Sequence, residues 1–305
     1  MIIRKFENKF LKNSVEVILF SCLISFCFMM SIHPEIARKI SIFGFSILAF
    51  VINYKELYTI FRTSLFLKTI FFFILFCILS YFWSDDYQEL KKNIRVILRY
   101  WIIPTIFLIS LINKYNLKFT IISFLCGMIV NITISYLMFF FNLKELFSFS
   151  LSPFNLVPFQ ASYMEYSLYV TITSILLLYY FLKSKEKILR IILLSLSMIS
   201  IVLLFLLEGR TGQLSFIITL LLLTIIYSKK YIQIIISFIS IIIILFCAYL
   251  FSNTFKIRID TGLNDLIEIT NSNYNTSLGV RLSSYKIIPE IIKSTNLLIG
   301  TGIGD

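Results

Sequence analysis

The chain is 305 residues long, 58% hydrophobic and 17% aromatic, with only 14% charged residues. A soluble domain carries about 25% charged residues, so a water-soluble globular fold is excluded. The formal net charge of +12 is scattered over short segments between apolar runs. No basic face on a soluble domain is visible, and no nucleic-acid partner is expected.

Arg4, Lys5, Lys9 and Lys12 precede the first apolar run. That run is too long for a signal peptide and lacks a small-residue cleavage site, so it reads as an uncleaved first helix. Windows of about 19 residues predict roughly nine transmembrane helices. They fall at 15–32, 40–54, 64–83, 94–112, 119–141, 166–182, 191–207, 213–228 and 232–251. The runs are too long and too uniformly apolar for barrel strands, so the expected fold is an all-α, polytopic integral membrane protein. Cys22, Cys27, Cys77, Cys126 and Cys247 each lie inside an apolar run, with no CxxC. They read as small hydrophobes and imply neither a disulfide framework nor a metal site. The single histidine, His33, follows the first run beside Pro34; a lone loop histidine is more often bland than catalytic.

Basic residues are unevenly divided between the two membrane sides. The N-terminal group, Lys55, Arg62, Lys114, Lys118, Lys183, Lys185, Lys187, Arg190, Lys229 and Lys230 fall on one side. Arg38, Lys39, Lys91, Lys92, Lys144 and Arg210 fall on the other. The positive-inside rule puts the richer side, and the N-terminus, in the cytoplasm. Arg210 and everything after Phe251 then lie outside, which in a cell with two membranes is the periplasm.

Lys92, Arg95 and Arg99 recur at i, i+3 and i+7 near the outer end of the fourth predicted helix, on one face. They are candidate contacts to a phosphate or an anionic headgroup. Simple snorkelling accounts for Arg95 and less easily for Arg99. The loop from Asn142 to Tyr166 carries Pro153, Phe154, Pro158, Phe159, Tyr163 and Glu165, and its rings are expected to rest at the membrane interface. Glu165 is an outer-side carboxylate that could partner one of the arginines.

Leu206-Leu207-Glu208-Gly209-Arg210-Thr211-Gly212-Gln213-Leu214 interrupts an apolar region running from about Ile191 to Ser228. Arg at a membrane-helix centre costs roughly 2.5–3.5 kcal/mol on insertion scales, so it needs a partner or a purpose. Gly209 and Gly212 are expected to let the backbone turn, making a tight hairpin that holds Arg210 at one membrane face. The bland alternative is a short loop whose arginine snorkels to headgroups.

From Ser252 to Asp305 the chain is polar enough to leave the bilayer. The expected division is a transmembrane domain, 1–251, and part of a large periplasmic loop, 252–305. Apolar positions 282, 285, 288, 291 and 292 suit a short amphipathic helix lying on the membrane and kinked at Pro289. Gly300, Gly302 and Gly304 follow no strand and open no helix in a βαβ setting, so a dinucleotide site is not implied.

Three of these stretches together resemble the O-antigen ligase and O-antigen polymerase family of bacterial envelope proteins. Glu208-Gly209-Arg210-Thr211-Gly212-Gln213 is similar to the family's arginine hairpin, with Gly209 where Ser is usual. Gly279-Val280-Arg281, followed by Ser283-Ser284-Tyr285, opens the large outer loop. Leu298-Ile299-Gly300-Thr301-Gly302-Ile303-Gly304-Asp305 resembles the family's glycine-rich stretch, although the usual preceding proline is Asn296 or Leu297 here. Trp83-Ser84-Asp85-Asp86 is a further point of similarity.

The resemblance implies a glycosyltransferase of the bacterial inner membrane that acts at the periplasmic face in lipopolysaccharide biosynthesis. It would move a glycan from an undecaprenyl-diphosphate carrier without a bound metal or nucleotide cofactor. A ligase delivers that glycan to the lipid A core, and a polymerase to another carrier-linked repeat; the compact hairpin leans to the ligase. Arg210 and Arg281 fall on the family's two arginines that hold the diphosphate. Guanidinium forks suit that task, because they pair with phosphate oxygens and stay charged. The family's histidine lies further along the large loop, beyond Asp305, and members continue through further spans. The sequence therefore reads as a C-terminally truncated member with no catalytic base assigned, and its status as an enzyme stays open. A reading of another class is a flippase or transporter of a lipid-linked glycan. It is disfavoured because no repeat relates the two halves and the unusual charges gather at the outer face.

Overall fold

The protein is described by a computed structural model covering residues 9–51, 59, 61–84, 86–112, 114–141, 156–159, 162–227, 231–271, 273–294 and 300. Among the described residues there is no β-strand, and the all-α class holds. The helices are α1 (Lys9–Ile32), α2 (Pro34–Val51), α3 (Leu65–Leu79), α4 (Tyr87–Ile97), α5 (Ile103–Leu111), α6 (Lys114–Phe141), α7 (Tyr163–Lys183), α8 (Lys187–Leu206), α9 (Arg210–Tyr227), α10 (Tyr231–Phe251), α11 (Asn253–Thr270) and α12 (Ser277–Ser294). Arg4, Lys5, Lys55, Lys144, Pro153, Phe154, Lys229 and Lys230 lie outside the described residues, as does most of the glycine-rich stretch.

Local chemistry sets the helix boundaries. Ser64 caps α3 by accepting from the Leu67 amide at 3.3 Å. Asp86 caps α4 by accepting from the amides of Gln88 and Glu89 at 2.8 and 3.0 Å; both serve N–H groups that have no partner within the helix. Between α4 and α5 lies one π-helical turn, Leu98–Ile102. Pro104 follows immediately, and a proline ring inside a regular helix meets the carbonyl four residues earlier. The wider turn removes that clash: the Ile103 amide donates to the Leu98 carbonyl, five residues back.

Six helical segments among the described residues are long and apolar enough to cross a membrane. They are Ser14–Ile32, Leu65–Phe82, Tyr87–Leu111, Asn116–Phe141, Tyr163–Lys183 and Lys187–Leu206. A seventh candidate is a pair, Ile241–Phe251 and Asn253–Thr270, bent by 99°. The count falls below the nine predicted because α2 carries Glu35, Arg38 and Lys39 in its first turns and Arg210–Ile226 is short. The fourth span starts at Tyr87, well before residue 94, because Asp86 nucleates a polar first turn that sliding windows discount.

The chain forms two compact units. Unit 1 contains 1–30, 35–123 and 280–305; unit 2 contains 31–34 and 124–279. In unit 1, Ser123 donates from its hydroxyl to the Ile24 carbonyl at 2.7 Å. Phe26 meets Phe107 edge-on at 6.0 Å, and Leu19 packs with Leu48 and Leu111. In unit 2, the core joins Met128, Ile132, Tyr166, Val170, Leu203, Leu204, Leu207 and Phe216. Leu156 and Val157, in the 142–166 loop, are buried in that same core, whereas Tyr163 is exposed; residues 142–155 lie outside the described residues.

Polarity is distributed inside out relative to a soluble protein. Large apolar side chains such as Leu65, Phe82, Ile226 and Phe251 are exposed, whereas Ser31, Asn131, Ser135, Ser167, Thr171, Ser174 and Ser197 are buried. Lipid removes the reason to hide apolar surface, and small polar residues let helices approach and bond across the interface. The Ser135 and Tyr166 hydroxyls meet at 2.8 Å, and the Tyr136 hydroxyl donates to the Ile199 carbonyl at 2.8 Å.

The bend between α10 and α11 depends on Ser252, whose hydroxyl donates to the Phe205 carbonyl at 2.8 Å and accepts from the Phe255 amide at 3.2 Å. Replacing an N-cap serine by alanine typically costs about 1 kcal/mol. Ser252→Ala is expected to lower the unfolding midpoint in detergent and speed exchange of the Phe255 amide, while Ser252→Thr keeps both near wild type.

Candidate functional site

The α8–α9 hairpin in unit 2 is built by close approach of backbones. A methyl group placed on Gly209 would lie 2.3 Å from the Ser167 hydroxyl oxygen, and one on Gly212 would lie 2.5 Å from the Ser167 carbonyl carbon. Among the described residues the only glycine with positive φ is Gly300. The two hairpin glycines are therefore required for contact with α7 and not, as expected, for turning the chain. Thr171 reinforces the contact by donating to the Gly212 carbonyl at 2.8 Å.

Gln213 closes the turn. Its amide nitrogen donates to the carbonyls of Leu204 and Leu207 at 3.2 and 3.0 Å, satisfying acceptors that the end of α8 leaves without helical partners. Leu207 is fully buried beside it. The hairpin is thus a rigid corner, and Arg210 is the first residue of α9.

Arg210 is half-buried. The ion pairs among the described residues are Arg38–Glu35 and Lys92–Glu89, so its guanidinium belongs to neither. Glu165 likewise is in neither pair. Across from Arg210 stands α11: a methyl on Gly262 would lie 3.9 Å from Nη1, with no other neighbour within 4 Å. The side-chain-free backbone leaves room beside the guanidinium. The first turn of α9 adds the partial positive charge of a helix N-terminus at the same place, so the corner favours an anionic group.

Asp265, one turn after Gly262 and buried, accepts from the Leu278 amide at 3.4 Å. Thr276 accepts from the Gly279 amide at 3.0 Å. A methyl on Gly279 would lie 2.6 Å from the Tyr274 carbonyl oxygen, so this glycine too is required by close packing. Arg281 follows on the first turns of α12, exposed, in unit 1. The apolar positions of α12, from Leu282 to Ile292, are all exposed, and Pro289 lies inside the helix.

The other basic cluster lies in unit 1. A groove of about 420 Å³ is lined by Lys91, Ile94, Arg95, Leu98, Arg99 and Ile103. Lys92 is not among these residues; its ammonium meets Glu89 at 2.8 Å. The π turn advances the helix by one extra residue, which brings Ile103 into line with Leu98, while Lys91, Arg95 and Arg99 follow one another at i, i+4 and i+8. His33 sits in the break between α1 and α2, and its Nδ1 is buried without a hydrogen-bond partner.

Sequence reasoning singled out Arg210 and Arg281 and did not single out Ser167, Gln213, Gly262 and Asp265, which the structure places around the hairpin and α11. A small residue midway along the otherwise bulky 253–270 segment was the available signal for Gly262. Nothing in the sequence pointed to Asp265 as a cap, because its partner amide is thirteen residues away.

A helical chain with apolar outward surface and polar groups between its helices is a polytopic membrane protein. Its residues 194–305, which include the hairpin, α11 and Arg281, match the family model described as O-Antigen ligase and place this part of the chain in the O-antigen ligase and polymerase family. The match supports a function in glycan biosynthesis, and the family implies a lipid-linked glycan and an acceptor as partners in general terms. No curated protein and no solved structure matches the chain.

Overpacking a close contact costs typically about 1–3 kcal/mol. Gly209→Ala and Gly212→Ala should each lower the unfolding midpoint in detergent. Ser167→Gly should restore part of the loss for Gly209→Ala, whose methyl meets the serine side chain. It should restore far less for Gly212→Ala, whose methyl also meets the serine backbone.

Proposed function

We propose that the protein transfers a glycan from an undecaprenyl-diphosphate carrier to the lipid A core, as an O-antigen ligase, at the periplasmic face of the bacterial inner membrane. What carries this reading is the Arg210 corner: a guanidinium outside the ion pairs of the described residues, at a helix N-terminus and beside the bare backbone of Gly262. Counted over the nine helices read from the sequence, with α2 crossing the membrane as one of them, the asymmetry of basic residues supports a cytoplasmic N-terminus and an outward-facing Arg210. Residues 252–305 then form part of the outer loop.

In the transfer, an acceptor hydroxyl oxygen bonds to the anomeric carbon and the bond from that carbon to the diphosphate oxygen breaks. The leaving diphosphate keeps the electron pair, and the acceptor's proton passes to base or solvent. Negative charge therefore grows on the diphosphate, where Arg210 holds it by paired N–H donors; Arg281 is assigned to the diphosphate by the sequence resemblance. Arg95 and Arg99, with Lys91 and Lys92 at the same helix end, hold headgroup phosphates and keep the fourth span in register with the membrane surface. A polymerase would use the same diphosphate grip and differ in its acceptor.

Removing one donor that stabilises developing negative charge costs on the order of 10²–10³-fold in rate. Arg210→Ala and Arg281→Ala, introduced into the host gene, should abolish the glycan-bearing lipopolysaccharide ladder while the protein stays in the membrane fraction. Arg210→Lys should not restore it, since an ammonium lacks the fork. Normal ladders in both alanine variants would remove the assignment.

A further inference from the structure

α11 has three faces of different chemistry. Phe255 and Asp265 are buried and Gly262 and Ile269 half-buried, and these positions, at i, i+10, i+7 and i+14, share the face that packs within unit 2. Asp260, Asn264 and Glu268, at i, i+4 and i+8, form a polar stripe. Ile259, Leu263 and Leu266, at i, i+4 and i+7, form an apolar stripe, with Ile267 at its edge; Leu263 is 55% and Leu266 51% exposed. At 3.6 residues per turn these stripes are separated by roughly a third of the circumference each. A helix lying in water against a protein would turn its leucines inward. This one turns a glycine and an aspartate inward and leaves its leucines uncovered.

The connection to α10 says what covers them. The two helices are bent by 99° at Ser252, so a helix joined in this way to a membrane-crossing one lies close to the membrane plane. The last turns of α10 expose Phe246, Leu250 and Phe251, the lipid-facing kind of surface that the rest of the fold presents. Tyr249, just before the bend, donates its hydroxyl to Asp260 at 3.2 Å, and the Lys256 ammonium lies 5.8 Å from its ring. A tyrosine held between two charged groups at a helix end is the arrangement found at headgroup depth. On the inner side, Phe255 meets Phe205 edge-on at 5.3 Å, which fixes the rotation of α11 about its axis.

We propose that α11 is an in-plane membrane helix. Its Ile259–Leu263–Leu266 stripe is immersed in the acyl chains of the leaflet where α10 ends, its Asp260–Asn264–Glu268 stripe faces water, and its Gly262–Asp265 face roofs the Arg210 corner. The roof and the acyl chains then meet at the guanidinium, so a lipid-borne anion reaches Arg210 sideways from the leaflet without leaving it. The helix's immersion is independent of the transfer chemistry proposed above; only this lateral route rests on it.

The test uses the unaltered chain in vesicles of phosphatidylethanolamine and phosphatidylglycerol that carry a phospholipid with a diazirine at the end of one acyl chain. After photolysis, the adducts are mapped by peptide mass spectrometry. Adducts on Leu263 and Leu266 should be comparable with those on Phe246 and Leu250, and far above those on Asn264 and Glu268. Adducts on α10 with none on Ile259, Leu263 or Leu266 would overturn the proposal, and a Lys256–Lys256 cross-link between two chains in that case would assign the stripe to a second copy. Equal labelling of all three stripes would also overturn it. None of these outcomes depends on activity, so glycan transfer and membrane immersion fail separately.

Discussion

The structure around the candidate site depends on one contact, the seating of Gly209 and Gly212 against Ser167. A methyl on either glycine would clash with Ser167, so α7 and the α8–α9 hairpin meet closely; Thr171 adds a hydrogen bond across this contact, and Gln213 adds two within the hairpin. Attraction between helices in lipid comes from close packing and such bonds, because lipid tails are as apolar as the side chains they touch. The contact therefore holds a charged corner in place, and among the described residues the ion pairs are Arg38–Glu35 and Lys92–Glu89, neither of which includes Arg210.

From that corner a chain of contacts runs through α11. Gly262 stands beside the guanidinium, Asp265 lies a turn further along, and its carboxylate accepts from the Leu278 amide at the start of α12. A buried carboxylate used as a helix cap ties the α11–α12 turn to the same face that roofs Arg210. Gly279 is held in the same turn, where its amide donates to the Thr276 hydroxyl at 3.0 Å. In this family domain the charged groups are few, and most of the polar side chains near them are committed to holding backbone.

Much of the helical framework was legible in the sequence because apolar runs of spanning length permit little else in lipid. The limits were equally physical. Hydropathy windows start the second span at 40, past Glu35, Arg38 and Lys39, although the helix begins at Pro34, and they start the fourth span after its polar, Asp86-capped first turn. Of Lys92, Arg95 and Arg99, the two arginines line the groove together with Lys91, while Lys92 pairs with Glu89, a partner that the face pattern alone did not single out. The two hairpin glycines were visible, yet their reason was not, since a glycine needed for a turn and one needed for a neighbour read alike until the neighbour is known. Segment 252–305 read as polar enough to leave the bilayer, and a count of polar residues did not report that Asp265 is buried.

The account's central claim is that the hairpin presents Arg210 on the outer face of the membrane. The most direct measurement places a single cysteine at the exposed position next to it, Thr211→Cys, in a chain whose native cysteines are replaced by serine or alanine. A membrane-impermeant maleimide is then applied to spheroplasts. The account predicts labelling of intact spheroplasts at the same rate as of lysed ones. Labelling that appears only after lysis would put the arginine on the cytoplasmic side and contradict it.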